Sequence, residues 1–102
     1  MANIGTFIAQ DGKIIGKIQT LTLSASVTFL PNEKQTGPDA PAYRAFRGKS
    51  EVGAAWEKVS DSGRQYLAVR FDDPIFDAPL FANLIVNEDN SYTLLWSRPS
   101  RR

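Results

Sequence analysis

Polar and apolar residues alternate with a period of two along most of this chain, the pattern of strands with one buried face. Leu21, Leu23, Ala25, Val27 and Phe29 fall on one side, and Thr20, Thr22, Ser24, Ser26 and Thr28 on the other. A half-buried strand is predicted there, ended by Pro31. Upstream, Ile4, Thr6 and Ile8 oppose Gly5, Phe7 and Ala9, and Ile14, Gly16 and Ile18 oppose Lys13, Ile15 and Lys17. Between these runs Asp11-Gly12 fits a type I′ hairpin turn, because both central residues of that turn need positive φ.

Downstream, Pro31 to Ala42 holds three prolines and little apolar bulk, which predicts the longest loop. Tyr43 to Arg47 resumes an extended pattern, and Gly48-Lys49 makes a turn. Then Gly53-Ala54-Ala55-Trp56-Glu57-Lys58 and Tyr66-Leu67-Ala68-Val69-Arg70-Phe71 form a hairpin about Ser60-Asp61-Ser62-Gly63-Arg64. Val52, Ala55, Trp56 and Val59 also satisfy helical spacing, with Ser50 placed to cap it. Gly53 and the closeness of the next turn favour strand. Asp72-Asp73-Pro74 breaks the chain, and Leu80 to Val86 with Tyr92 to Arg98 makes a last hairpin about Asn87-Glu88-Asp89-Asn90. The expectation is an all-β fold: one small antiparallel barrel or sandwich of about seven or eight strands with no long helix. The domain is expected to span residues 1–98, leaving 99–102 as a short basic tail.

At 102 residues the chain is long enough to bury roughly 65% of its unfolded surface. It has no cysteine, which removes disulfides, thiolate metal sites and cysteine nucleophiles. It also has no histidine, which removes the commonest general base and metal ligand. None of the serines sits in a strand–turn–helix elbow, and no glycine-rich run opens a helix for phosphate. Asp72, Asp73 and Asp77 crowd together beside Pro74 and Pro79, but their spacing matches no calcium loop and reads as turn chemistry. The expectations are therefore no catalysis, no cofactor and no metal. The N-terminus carries no signal-peptide pattern and no apolar run reaches membrane-span length, so a cytoplasmic protein that does not enter a membrane is expected.

The net charge of +1 hides an uneven distribution. Residues 1–70 hold nine Lys and Arg against six Asp and Glu; residues 71–96 hold five acidic residues and no basic one. Arg98, Arg101 and Arg102 follow. If Leu67, Val69 and Phe71 face the core, Tyr66 and Arg70 face outward, and Tyr43-Arg44-Ala45-Phe46-Arg47 supplies a similar mixture. Small β-barrels bind single strands through aromatic side chains set among Lys and Arg, worth about 1–3 kcal/mol per stacked base. About three or four phosphate contacts would weaken binding with salt at a slope of about −0.7 each. The residues predicted to form such a face are Tyr43, Arg44, Arg47, Lys58, Arg64, Tyr66 and Arg70, extended by Arg98, Arg101 and Arg102. Trp56 and Trp96 are expected in the core.

The blocks Ile4-Gly5-Thr6-Phe7, Thr20-Leu21-Thr22-Leu23, Pro31-Asn32-Glu33-Lys34, Ala40-Pro41 with Tyr43-Arg44, Gly53-Ala54-Ala55-Trp56, Gly63-Arg64 with Tyr66-Leu67, Asp72-Asp73-Pro74 and Trp96-Ser97-Arg98 resemble a known family. It is the family numbered 736 among domains of unknown function, and the resemblance runs from residue 4 to residue 98. It implies a small all-β protein in a proteobacterial setting, often on plasmids and other mobile elements, with no assigned activity and no site residues to carry over. Two expectations of function stand beside each other. One is a non-enzymatic module of a mobile element that binds single-stranded nucleic acid. The alternative is a protein–protein interaction module using an exposed strand edge or charge complementarity, such as an inhibitor of a host defence nuclease or an accessory factor of plasmid transfer. A homodimer through a strand edge is compatible with either.

Overall fold

Eight strands close on themselves in chain order in the computed structural model, which describes residues 2–32, 37, 39–74 and 78–96. They are β1 (Ala2–Gln10), β2 (Lys13–Gln19), β3 (Ser24–Pro31), β4 (Tyr43–Arg47), β5 (Ser50–Val59), β6 (Gln65–Phe71), β7 (Leu80–Val86) and β8 (Ser91–Trp96). Every neighbouring pair is antiparallel, and β8 returns to β1. This is an up-and-down barrel, with no helix among the described residues. The choice between barrel and sandwich, open in the sequence, is settled by that closing pair.

The turns follow their local chemistry. Asp11 and Gly12 take φ of 55° and 82°, the type I′ geometry that Asp-Gly favours. Gly63 and Asn90 end two matching turns: their amides donate to Ser60 O and Asn87 O, and the amides of Ser60 and Asn87 donate to Arg64 O and Ser91 O. Both turns need a left-handed residue at that point, which Gly and Asn tolerate best. One turn was not foreseen. Residues 20–23 form a tight corner, with Thr20 N donating to Leu23 O at 2.8 Å and Leu23 N to Thr20 Oγ1 at 3.2 Å. The strand predicted from Thr20 therefore begins at Ser24, and Leu21, expected to face inward, is fully exposed. A threonine side chain makes this turn without the Gly, Asn or Pro that would have announced it.

The interior is filled by large residues set opposite small ones. Phe7 pairs with Gly16, Phe29 with Ala45, and Phe71 with Gly53. Three phenyl rings then run through the core, Phe7 to Phe29 at 5.5 Å and Phe29 to Phe71 at 6.1 Å between centroids. An eight-stranded barrel has room for one such layer of rings only if the facing positions are small. Ile4, Ile14, Ile18, Val27, Val69, Leu67, Leu84 and Leu94 complete the core, and no polar side chain is buried among the described residues.

Two bulges bend the wall. Ile4 is the extra residue between Asn3 and Gly5, and the Asn3 side chain accepts a hydrogen bond from Gly5 N at 3.1 Å. Val52 is the extra residue where Ala45 pairs with Gly53 but Phe46 with Glu51. Simple alternation would group Val52 with Ala54, Trp56 and Lys58, and this second bulge breaks that grouping. Val52 packs against the core, and the other three face out. Trp56, expected as a core anchor, lies on the outside of the wall opposite Ala68, while Trp96 packs against the core.

Closure pairs each strand with a neighbour on both sides, and among the described residues the registers leave only short stretches, such as β5 beyond Ala55, without a second partner. Strand addition and an edge-to-edge homodimer, both foreseen from sequence, would find only such short stretches to pair with.

Candidate functional site: a basic and aromatic strip on the outer wall

The outer wall over β4 to β7 is built by the same alternation that fills the core. Once Leu67, Val69 and Phe71 point inward, Tyr66, Ala68 and Arg70 must point outward. Their partners across β5 are Lys58, Trp56 and Ala54, so Trp56 lies beside Ala68, Arg70 beside Ala54, and Tyr66 beside Lys58. The two alanines leave a shallow floor. The large side chains stand around it.

Trp56 is fixed from two sides. Its indole Nε1 donates to Asp39 O at 2.9 Å, tying the β3–β4 loop to the wall, and the Arg70 guanidinium sits 5.8 Å from its ring centroid. Phe81 on β7 pairs with Arg70 and is 63% exposed. Asp39, Ala40, Ala42, Glu57, Lys58, Ala68, Val69, Arg70 and Phe81 line a groove of about 450 Å³ with Trp56. A half-buried indole, an exposed phenyl ring and a guanidinium that has no ion-pair partner among the described residues can stack a flat group and hold an anion beside it.

Electrostatics divides the cations. Arg44 is committed: its Nε and Nη2 donate to the two carboxylate oxygens of Glu51 at 3.0 and 2.5 Å, and its guanidinium lies 5.4 Å from the Phe46 ring centroid. The Arg44 hydrogen bond holds the Glu51 carboxyl below its ordinary range, and the same bond raises Arg44. Lys58 and Arg70 have no carboxylate within ion-pair distance among the described residues. They are the free charges of the strip.

The predicted site residues separate into groups. Arg44, Lys58, Tyr66 and Arg70 share the outer wall of β4, β5 and β6. Arg64 stands in the turn at the end of that wall. Arg47 lies at the opposite end of the barrel, beside Val52, Phe71, Asp73 and Leu80. Tyr43 faces the barrel interior near the other mouth, where burial, Tyr92 and Glu57 raise its hydroxyl above the ordinary tyrosine value. Arg98, Arg101, Arg102 and Asp77 lie outside the described residues. Among the described residues no group of three carboxylates converges as a metal site.

Sequence reasoning missed Trp56 and Phe81. The signal was present: Phe81, Asn83 and Ile85 alternate against Ala82 and Leu84 just as Trp56 and Lys58 alternate against Ala55. Ring size argued for burial and hid it.

The fold defines the class of this protein as a small, closed, antiparallel β-barrel. The chain belongs to the family described as protein of unknown function (DUF736), whose profile matches residues 3–99. No curated protein and no solved structure matches it.

Proposed function

We propose that this protein is a non-enzymatic binding module that takes single-stranded nucleic acid along the outer wall of β5 and β6. The observation that supports this most is Trp56, held outward by Asp39 and flanked by the unpaired Arg70. In this reading a base enters the groove between Trp56 and Phe81, and Arg70 and Lys58 meet the phosphates. Asp39 stands on the loop side of the groove, so the backbone follows the Arg70 side. On a mobile element such a module serves DNA transfer or shields a strand from a host nuclease.

Anisotropy of a labelled single-stranded oligonucleotide tests it. Two phosphate contacts give a slope of about −1.4 for the logarithm of affinity against that of salt. Trp56→Ala and Arg70→Ala are expected to weaken binding at least tenfold, and Arg47→Ala, at the far end of the barrel, to leave it unchanged. No binding at about 50 mM salt and tens of micromolar protein sinks the reading. A specific partner retained after nuclease treatment would favour a protein docked on Phe81 instead, since an apolar ring this exposed also suits the centre of a protein interface.

A further inference from the structure

We propose that the barrel mouth between Tyr43, Glu57 and Tyr92 binds an alkylammonium group, either a free amine or the end of a lysine side chain. Three strands bring these residues together. Tyr43 on β4 pairs with Ala55, whose side chain is fully buried, so Tyr43 turns to the interior. Glu57 follows Ala55 by two positions and shares its side of β5, opposite the inward Leu67. Tyr92 on β8 pairs with Phe7 and Val86 and packs against the core from across the mouth. Together with Lys58, Val59, Gln65, Tyr66 and Val86 they rim a cavity of about 270 Å³ whose floor is Leu67 and Leu84.

The chemistry of this rim is specific to a cation with an apolar stem. Tyrosine ring faces attract ammonium groups, and the attraction grows where water is partly excluded. Glu57 supplies a full negative charge and has no ion-pair partner among the described residues. Lys58, the next residue, also borders the cavity, but strand alternation directs its side chain to the outer wall. Leu67 and Leu84 give methylenes a dry floor, and eight-stranded barrels have room at their mouths for one small ligand. The raised Tyr43 hydroxyl is the electrostatic signature of the same negative environment, with burial as its largest cause and Tyr92 and Glu57 adding to it.

The cavity borders the outer strip, with which it shares Glu57 and Lys58, and the proposal does not rest on nucleic-acid binding. The probe is n-butylammonium, titrated into the whole protein and followed by amide chemical shifts, with 1-butanol as the neutral control. A millimolar dissociation constant lies within reach of a ligand of about five heavy atoms. The expected result is shift changes confined to residues 43, 57–59, 65–67, 84, 86 and 92, with 1-butanol at least tenfold weaker. Glu57→Gln should weaken butylammonium about tenfold while leaving the melting curve in place, and Tyr92→Leu should weaken it without removing the apolar floor. Arg70→Ala should leave it unchanged. An acetylated, amidated Gly-Lys-Gly peptide distinguishes the sources: binding at least as tight as butylammonium assigns a lysine side chain, and exclusion of the peptide assigns a free amine. Equal binding of 1-butanol and butylammonium overturns the proposal. So does a Glu57→Gln variant that binds as the native protein does, or the absence of shifts at the mouth at about 50 mM ligand.

Discussion

Replacing Gly53 by alanine is expected to destabilise this protein, although alanine is the better strand residue by chain entropy. That entropy favours alanine by about 0.4–1 kcal/mol where the backbone can accept it. Here it cannot. A Cβ on Gly53 would lie 2.2 Å from the Arg70 carbonyl oxygen and 3.1 Å from the Phe71 Cα, where real Cβ contacts keep at least 3.0 Å. Both obstacles are backbone, so relief requires β5 to move about 0.8 Å from β6. Gly53 is paired on both sides, with Ala45 and Phe71, and stands next to the Val52 bulge. Displacing it strains two ladders and the Phe71 ring together. Overpacking costs about 1–3 kcal/mol, and with both obstacles in the backbone the upper half of that range applies, leaving a net loss of about 1–2 kcal/mol. At about 4–8 °C per kcal/mol for a domain of this size, the thermal midpoint falls by roughly 5–15 °C. Urea unfolding followed by circular dichroism provides the assay, with an unchanged slope required so that the shift in midpoint reports stability. Gly37→Ala is the control: among the described residues nothing lies within 4 Å of its Cβ position and its φ is not positive, so it should be neutral or stabilising by up to about 1 kcal/mol. A Gly53→Ala protein as stable as the native one refutes the close approach of β5 to β6.

Three further outcomes follow from the packing and electrostatics. Phe29→Ala removes the middle ring of the Phe7–Phe29–Phe71 row, all fully or nearly fully buried, and should cost about 3–5 kcal/mol in urea unfolding. Glu51 is depressed by Arg44, so its contribution is present above the ordinary carboxylate range and is lost as pH falls through its folded value; a side-chain NMR titration should show the low value, rising towards ordinary in Arg44→Met. Tyr43 is raised, so folding favours its neutral form: that stability is present below pH of about 10 and is lost as pH rises through the folded value. Ultraviolet titration of the native protein against Tyr43→Phe should reveal the late-ionising phenol, and Glu57→Gln should bring it back towards the ordinary value.

Much of this architecture was legible before any coordinates. Ile14, Gly16 and Ile18 against Lys13, Ile15 and Lys17 gave the correct faces of β2, because an alternating run has one side apolar enough to bury. Asp11-Gly12 and Gly63 gave their turns because only a few residue types tolerate positive φ. The outward direction of Tyr66 and Arg70 followed from the inward direction of Leu67 and Val69. Where alternation was interrupted, the reading failed. Val52 changed face at a bulge that no residue type announces, and Leu21 went into a corner made by a threonine side chain. Tyr43 and Arg47 lie on one short strand, yet their environments belong to opposite ends of the barrel.

Period-two patterning determined that this protein would be made of strands, where they would turn, and which positions travel together. It carries no information on curvature. Only the closed tertiary structure decided that β8 meets β1, that a phenyl ring must face a glycine or alanine in the narrow interior, and that Trp56 is left outside. The same closure brings Tyr43, Glu57 and Tyr92, far apart in the chain, around one opening. The physical reason is that a strand's two faces are a local property of the backbone, whereas which face becomes the inside depends on all eight strands bending the same way.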